Sequence, residues 1–126
     1  MFRLLCTALF AFACVLPVAL SAEEELEGSH EGVDLYKVTH YDKDGVSYQV
    51  DFYAENKNPH DVIIKLDMKE VKGLRANYDE EGAFVSSGEK RKVVSFVLLE
   101  EGGSGNYEFD WYVMPDYEYF QQMPKK

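Results

Sequence analysis

The strongest constraint on the fold is a period-two alternation of apolar and polar side chains that recurs along the chain. In residues 46–56 the alternate side chains Val46, Tyr48, Val50, Phe52 and Ala54 are apolar or aromatic, and those between them are mostly polar. Successive side chains of a strand point to opposite faces, so this pattern indicates a strand with one buried face. Residues 61–68 and 106–114 repeat the alternation. The chain is therefore predicted to fold as β-sheet.

Turn signals separate these strands. Residues 42–45 (DKDG) end in an Asp-Gly pair, which accommodates positive φ, and they are predicted to join residues 33–41 and 46–56 as a hairpin. No stretch has a helical period, which excludes a parallel α/β fold because that fold needs crossover helices. We predict an all-β fold over residues 33–116, an antiparallel immunoglobulin- or fibronectin-like β-sandwich of six to seven strands. A small barrel is the alternative.

One connection is too long for a hairpin. Residues 69–82 are polar apart from Val71, Leu74 and Tyr78. Hairpin loops have about 2–5 residues. The segment is therefore predicted to cross between two sheets.

The first 22 residues have the composition of a cleavable export signal. Arg3 is followed by an apolar run over residues 4–20, and the small residues Ser21 and Ala22 close it. A charged start, an apolar core and a small-residue cleavage site are typical of secretory signal peptides. We expect cleavage after Ala22 and a secreted or periplasmic protein with no membrane insertion after cleavage. A membrane anchor is the alternative interpretation.

The charge balance is strongly acidic. The chain has 23 Asp plus Glu and 13 Lys plus Arg, a formal net charge of −10. Nucleic acid is excluded as a partner, because its phosphates require clustered cations. Residues 23–32, with Leu26 as their only apolar aliphatic side chain, are predicted to be an acidic disordered leader. Cys6 and Cys14 both lie in the signal, so no disulfide or cysteine site is expected in the exported domain.

Two stretches share their order of strands and turns with a bacterial family. Residues 52–74 (FYAENKNPHDVIIKLDMKEVKGL) hold an aromatic strand, a proline turn and an aliphatic strand. Residues 86–116 (SSGEKRKVVSFVLLEEGGSGNYEFDWYVMPD) hold a Gly-Glu-Lys turn, an apolar strand and a final strand rich in Tyr and Trp. Together they resemble the immunoglobulin-like β-sandwich that precedes the catalytic domain in some exported zinc peptidases of the M23 group. This resemblance implies a sandwich in the cell envelope, and we expect no catalytic domain after it.

The segment HEGVDL, residues 30–35, is similar to the sequence that supplies two zinc ligands in that peptidase group. The resemblance implies His30 and Asp34 as ligands. A hydrolytic zinc needs three protein ligands and an open position for water. The family's later His-x-His is absent, because His40 and His60 each stand alone. We therefore predict no metal site, no catalytic residue and no cofactor.

Aromatic side chains are concentrated at the end of the last strand and beyond it. The candidate partner-binding residues are Tyr112, Tyr117, Tyr119 and Phe120. Trp111 is predicted to face the core, on the opposite side of the strand from Tyr112. Aromatic side chains of this kind suit a protein edge or a glycan. Alternatively, the aromatic C-terminal tail of residues 117–126 folds back over the open end of the sandwich.

These observations favour a non-enzymatic binding or accessory module of the cell envelope. The expected partner is an envelope protein or a glycan, and the acidic charge disfavours anionic membrane surfaces. One alternative is a metal-dependent hydrolase that uses His30, Asp34 and a remote histidine. Another is a metal-binding protein or an inhibitor that presents a loop or an edge strand to an exported enzyme.

Overall fold

The described part of the chain is entirely strand and turn. The computed structural model describes residues 21–100 and 103–115. The strands in chain order are β1 (Ser21–His30), β2 (Val33–Tyr41), β3 (Ser47–Asn56), β4 (Val62–Lys72), β5 (Leu74–Tyr78), β6 (Ala83–Val85), β7 (Lys90–Leu98) and β8 (Asn106–Pro115). The described residues contain no helix with the length and hydropathy needed to span a membrane. Most of the predicted signal lies outside these residues.

The strands form two antiparallel sheets, which confirms the predicted all-β class. The large sheet has the order β1-β2-β3-β7-β5, and the small sheet has the order β6-β4-β8. The predicted hairpin is present, with β2 paired to β3 and Gly45 at a φ of 80° in the turn. The eight described strands exceed the predicted six to seven because β1 and β5 form in segments expected to be irregular.

The core lies between the sheets and is dominated by β-branched and aromatic side chains. Its fully buried members include Phe96, Ile64, Val33, Val62, Val85 and Val94. Phe52 and Phe96 meet edge to face at 6.2 Å, and the Tyr107 ring stacks on Phe96 at 4.4 Å. Such aromatic pairs stabilise a core beyond the area that they bury. In β8, Trp111 packs against the core and Tyr112 is half exposed, as the alternation predicts.

The predicted crossing between sheets occurs, but the chain then returns, so residues 69–82 do not join strands of different sheets: β4 and β6 are paired in the small sheet. β4 belongs to the small sheet and β5 to the large one, and only Gly73 separates them. Gly73 has a φ of 68°, and a Cβ there would meet the carbonyl oxygen of Ser104. Only glycine avoids both penalties. The residue type thus permits an abrupt change of sheet.

The interpretation of residues 23–32 as a disordered leader is wrong for this structure. Residues 21–30 form β1, which pairs along its length with β2. Its composition is that of a disordered chain, and its side chains are nearly all exposed. Its backbone is nevertheless hydrogen-bonded to β2. Lys90 bonds Glu24 at 2.6 Å, and Lys37 lies 3.9 Å from both Glu25 and Glu27. The acidic residues therefore belong to an edge strand.

The turn between β1 and β2 offers a stabilising substitution. Glu31 has a φ of 47° and Gly32 a φ of 77°. Two-residue turns with positive φ at both positions favour Asn-Gly, because asparagine tolerates the left-handed region better than glutamate. We expect Glu31→Asn to raise the free energy of unfolding by about 0.5–1 kcal/mol, measured by urea denaturation. Glu31→Val, with a β-branched side chain, should lower it, and a gain for both variants would contradict this account.

Candidate functional site

Tyr112 lies in an exposed apolar patch on the outer face of the small sheet. Ile63 of β4 stands opposite Phe84 of β6 on one side and Met114 of β8 on the other. Tyr112 is two residues from Met114 and therefore shares its face. Tyr112 is 50% exposed and Phe84 is 40% exposed, whereas Ile63 is buried beneath its neighbours. We call these four residues the aromatic patch.

Polar groups border the aromatic patch along the strands. Lys65 stands opposite Tyr112, and further along Asp67 stands opposite Asp110. Lys69 joins these two carboxylates, at 2.8 Å from Asp67 and 3.8 Å from Asp110. An exposed apolar centre with a polar rim is the usual form of a protein-binding surface. The patch can thus bury apolar area in a partner while charged groups set its orientation.

The other candidate residues, Tyr117, Tyr119 and Phe120, lie outside the described residues. β8 ends at Pro115, at the end of the sandwich. Pro115 lines a shallow depression there together with Glu31, Asn58 and His60. The open apolar end is the opposite one, around Tyr107. Eight residues of strand, about 26 Å, separate Tyr107 from Pro115.

The alternative that residues 117–126 fold back over the open end of the sandwich also lies outside the described residues.

The open end itself is a small apolar cleft of about 290 Å³ between the sheets. Its apolar lining comes from Val46, Val50, Leu74, Phe96, Leu98 and Tyr107. The wall at Gly105 is tightly packed, because a Cβ there would come within 2.4 Å of Leu74. Binding pockets for drug-sized ligands usually measure about 300–1,000 Å³. The cleft therefore lies at the lower end of that range.

A buried carboxylate on the outer face of the large sheet is the feature that sequence analysis missed. Asp51 is 3% exposed and accepts hydrogen bonds from Ser95 Oγ at 2.7 Å and from Gln49 Nε2 at 2.9 Å. His40 Nε2 lies 2.8 Å from its other oxygen. The alternation correctly gave Asp51 the face opposite the core. Its burial depends on side chains of the neighbouring strands, His40 of β2 and Ser95 of β7, the latter 44 residues away.

This cluster contains serine, histidine and aspartate but lacks the connectivity of a catalytic triad. In a triad, histidine bonds the serine and the carboxylate bonds the histidine. Here Ser95 and His40 both bond Asp51, so the histidine is not placed to take the serine proton. The arrangement stabilises a charged carboxylate inside a sheet. Its role in the described structure is to join β2, β3 and β7.

The Asp51 cluster makes stability depend on pH. Burial raises the pKa of Asp51, but its three hydrogen-bond donors and Lys92 outweigh burial and hold the pKa below its ordinary value. Hydrogen bonds from Lys57 and Ser29 likewise lower the pKa of Asp34. A lowered pKa stabilises the folded state above the unfolded-state value, about 3.9, and this contribution is lost as pH falls through the folded value.

We therefore expect the urea midpoint to fall between about pH 5 and pH 2. Asp51→Asn should lower the midpoint at neutral pH, because an amide is a weaker acceptor for these donors. The variant should also lose less stability on acidification than the parent. Urea denaturation at several pH values tests this, and equal acid sensitivity of both proteins would contradict the account.

The HEGVDL segment does not assemble its two candidate ligands. His30 pairs with the buried Val33 and therefore faces inward, where its ring meets Trp111 edge-on at 6.1 Å. Asp34 faces outward and bonds Lys57 at 2.5 Å and Ser29 at 2.6 Å. The two side chains thus lie on opposite faces of the sheet.

The remaining histidines are also separate in the structure. His40 bonds Asp51, and the His60 ring lies 3.2 Å from the carbonyl oxygen of Asp61. Within the described ranges, no group of three or more His, Cys, Asp or Glu side chains is placed to hold a metal ion. Asp42, in the predicted hairpin turn, accepts hydrogen bonds from the backbone amides of Asp44 and Val46.

Comparisons with family models, curated proteins and solved structures found no match to this chain. The resemblance to the M23 sandwich domain therefore rests on the quoted residues alone. Among the described residues, the exposed large aromatic side chains are Tyr112 and Phe84, and both belong to the aromatic patch. It is the surface best suited to contact another macromolecule.

Proposed function

We propose that the chain is an exported, non-enzymatic binding or accessory module of the cell envelope, and that it contacts its partner through the aromatic patch. The observation that carries this proposal is the exposure of Tyr112 and Phe84 on the same outer face of the small sheet, with the buried Ile63 of the central strand β4 between their strands. Aromatic side chains dominate the energetics of protein interfaces, and a preformed apolar base limits the ordering cost of binding. A sheet face of fixed geometry is well suited to this role.

The expected partner is an envelope protein, and a glycan is the second possibility that the test must separate. Lys65, Lys69 and the carboxylates of Asp67 and Asp110 lie along one side of the patch and carry both signs of charge. Mixed charge around an apolar centre favours a protein surface, because complementary ion pairs then set the orientation of the complex. Aromatic rings would equally provide a stacking platform for a sugar.

The test is affinity capture from envelope extract with the exported domain as bait. Tyr112→Ser should reduce retention of the specific partner at least tenfold, because hot-spot aromatics contribute about 2 kcal/mol or more. The free energy of unfolding should change by no more than about 0.5 kcal/mol, since the side chain is half exposed.

Leu99→Ser is the matched control. Leu99 is 62% exposed and lies in the segment after β7, away from the patch. Its replacement should leave retention unchanged. Equal retention by the parent and Tyr112→Ser would overturn the assignment of the patch, and retained glycan rather than protein would identify the alternative partner class.

A further inference from the structure

The two sheets differ in width, and the small sheet stops above the edge of the large one. Trp111 of β8 lies over Gly28 of β1, 3.9 Å from the position of a Cβ there. Tyr107, also of β8, meets Phe52 of β3 edge to face at 5.8 Å, and Phe52 pairs with Lys37 of β2. β8 therefore crosses the large sheet from β3 at Tyr107 to β1 at Trp111. A fourth strand of the small sheet, added beyond β8, would lie over the part of β1 that is uncovered in the described structure.

The uncovered part of β1 is acidic. Glu25 and Glu27 flank Lys37 on the inner side of the large sheet, and their side chains are 63% and 40% exposed. Glu23 stands two residues before Glu25 and shares its face. Three carboxylates thus face the space beside β8. Lys37, which lies between Glu25 and Glu27, is already engaged by these two carboxylates.

β8 carries two acidic side chains, Glu108 and Asp110, against four in β1, the other ten-residue edge among the described strands. Its ten residues pair with β4 alone among the described strands. The other edges are a three-residue β6, a five-residue β5, and β1 with its four glutamates. Short or charged edges resist pairing with another chain, whereas a long open edge offers a row of unpaired backbone groups. β8 is therefore the edge suited to accept a strand.

The outer face of the same edge is also acidic over part of its length. Glu108 and Asp110 lie on it, followed by Tyr112 and Met114 of the aromatic patch. A strand beside β8 would meet carboxylates on both of its faces along the first half of β8. It would meet apolar side chains on its outer face along the second half. This pattern is complementary to cations at the first half and apolar side chains at the second.

We propose that β8 accepts an extended strand rich in lysine or arginine from a partner protein, which completes the small sheet above β1. Main-chain hydrogen bonds supply affinity in this mode of recognition and alternate side chains supply specificity. A second copy of this chain is disfavoured as the donor, because two molecules of net charge −10 repel and would oppose acidic strands. The inference rests on the proposed binding function and adds the chemistry of its partner.

The test uses two synthetic ten-residue peptides, with Lys in one half and Val in the other in either order, titrated into the full exported chain by calorimetry. Glu108→Lys/Asp110→Lys should weaken binding at least tenfold. Glu80→Lys/Glu81→Lys is the matched control, with the same change in net charge on the exposed turn between β5 and β6. The control should retain most of the affinity. Equal losses in the two variants would mean attraction by bulk charge and would overturn the proposal.

N-methylated peptides test whether the backbone is used. The amides of a strand point alternately to its two edges, so methylating one alternate set should abolish binding and methylating the other should not. Insensitivity to both sets would overturn strand addition. If a variant that lacks residues 117–126 binds the peptide and the full chain does not, the chain's own tail occupies the β8 edge. Dimerisation that the peptide reverses would assign it to a second copy, and either result overturns the proposal.

The two proposals can fail separately. An envelope partner whose retention depends on Tyr112 but resists competition by the Lys-Val peptides would leave the proposed function intact and overturn strand addition. Peptide binding at β8 without any Tyr112-dependent partner would support strand addition and overturn the proposed contact through the aromatic patch.

Discussion

Phe96→Ala should lower the free energy of unfolding by about 3–5 kcal/mol. Phe96 is 1% exposed and lies at the centre of the core, where it contacts Phe52, Tyr107 and Phe109. Truncation removes buried apolar area and leaves a cavity that rigid strands cannot collapse to fill. Urea denaturation followed by the fluorescence of Trp111, the single tryptophan, measures the loss.

Tyr112→Ala is the control for this experiment, because Tyr112 is an aromatic residue of similar size that is half exposed. Its replacement should cost no more than about 0.5 kcal/mol. A loss below about 1 kcal/mol for Phe96→Ala would mean that the core is not centred between β3, β7 and β8.

Asn56→Ala should lower the free energy of unfolding by about 2–4 kcal/mol, because several buried polar groups lose their partner. Asn56 is fully buried, and its amide nitrogen donates to the carbonyl oxygens of His60 at 2.9 Å and Val85 at 3.1 Å. Its side-chain oxygen accepts from the backbone and the side chain of Asn58 at 2.9 and 3.0 Å. One amide thus holds together the loop after β3 and the end of β6.

The near-isosteric Asn56→Asp separates the loss of hydrogen bonds from the loss of volume. A carboxylate cannot donate to the carbonyl oxygens of His60 and Val85, so this variant should also be strongly destabilised. Asn77→Ala, on the exposed face of β5, should change the free energy of unfolding by about 0.5 kcal/mol or less. Chemical denaturation at neutral pH compares the three. A stable Asn56→Asp protein would contradict the assigned donor role.

The parts of the fold that sequence analysis predicted are those in which one strand carries its own signal. The β2–β3 hairpin is encoded by alternation on both sides of the turn that ends at Gly45. The length of residues 69–82 indicated a change of sheet, but it did not reveal that the segment contains β5 and returns to the small sheet at β6. β1 lacks such a signal, because nearly every side chain is exposed and its pairing with β2 supplies the order. Burial patterns identify strands that face a core, so an edge strand outside the core has no pattern to detect.

The features of the candidate site likewise fall into those that one strand encodes and those that depend on residues far apart in sequence. Alternation predicted that Tyr112 and Trp111 face opposite sides of β8, and the structure has them so. The buried Asp51 and the acidic space beside β8 depend on residues far apart in sequence, such as Ser95 for the first and Glu25 for the second. Those contacts follow from sheet order, which local pattern does not specify. The binding roles of Tyr117, Tyr119 and Phe120 stay predictions.

Hydrogen–deuterium exchange of the exported domain, with and without its captured partner, tests the binding role of the small sheet most directly. We expect the partner to slow exchange in residues 106–115, the strand that carries Tyr112, and in the neighbouring residues 83–85. Residues 46–50 and 103–105 at the apolar cleft should exchange at unchanged rates. Slowed exchange confined to the cleft, or to the outer face of the large sheet around Asp51, would contradict the account.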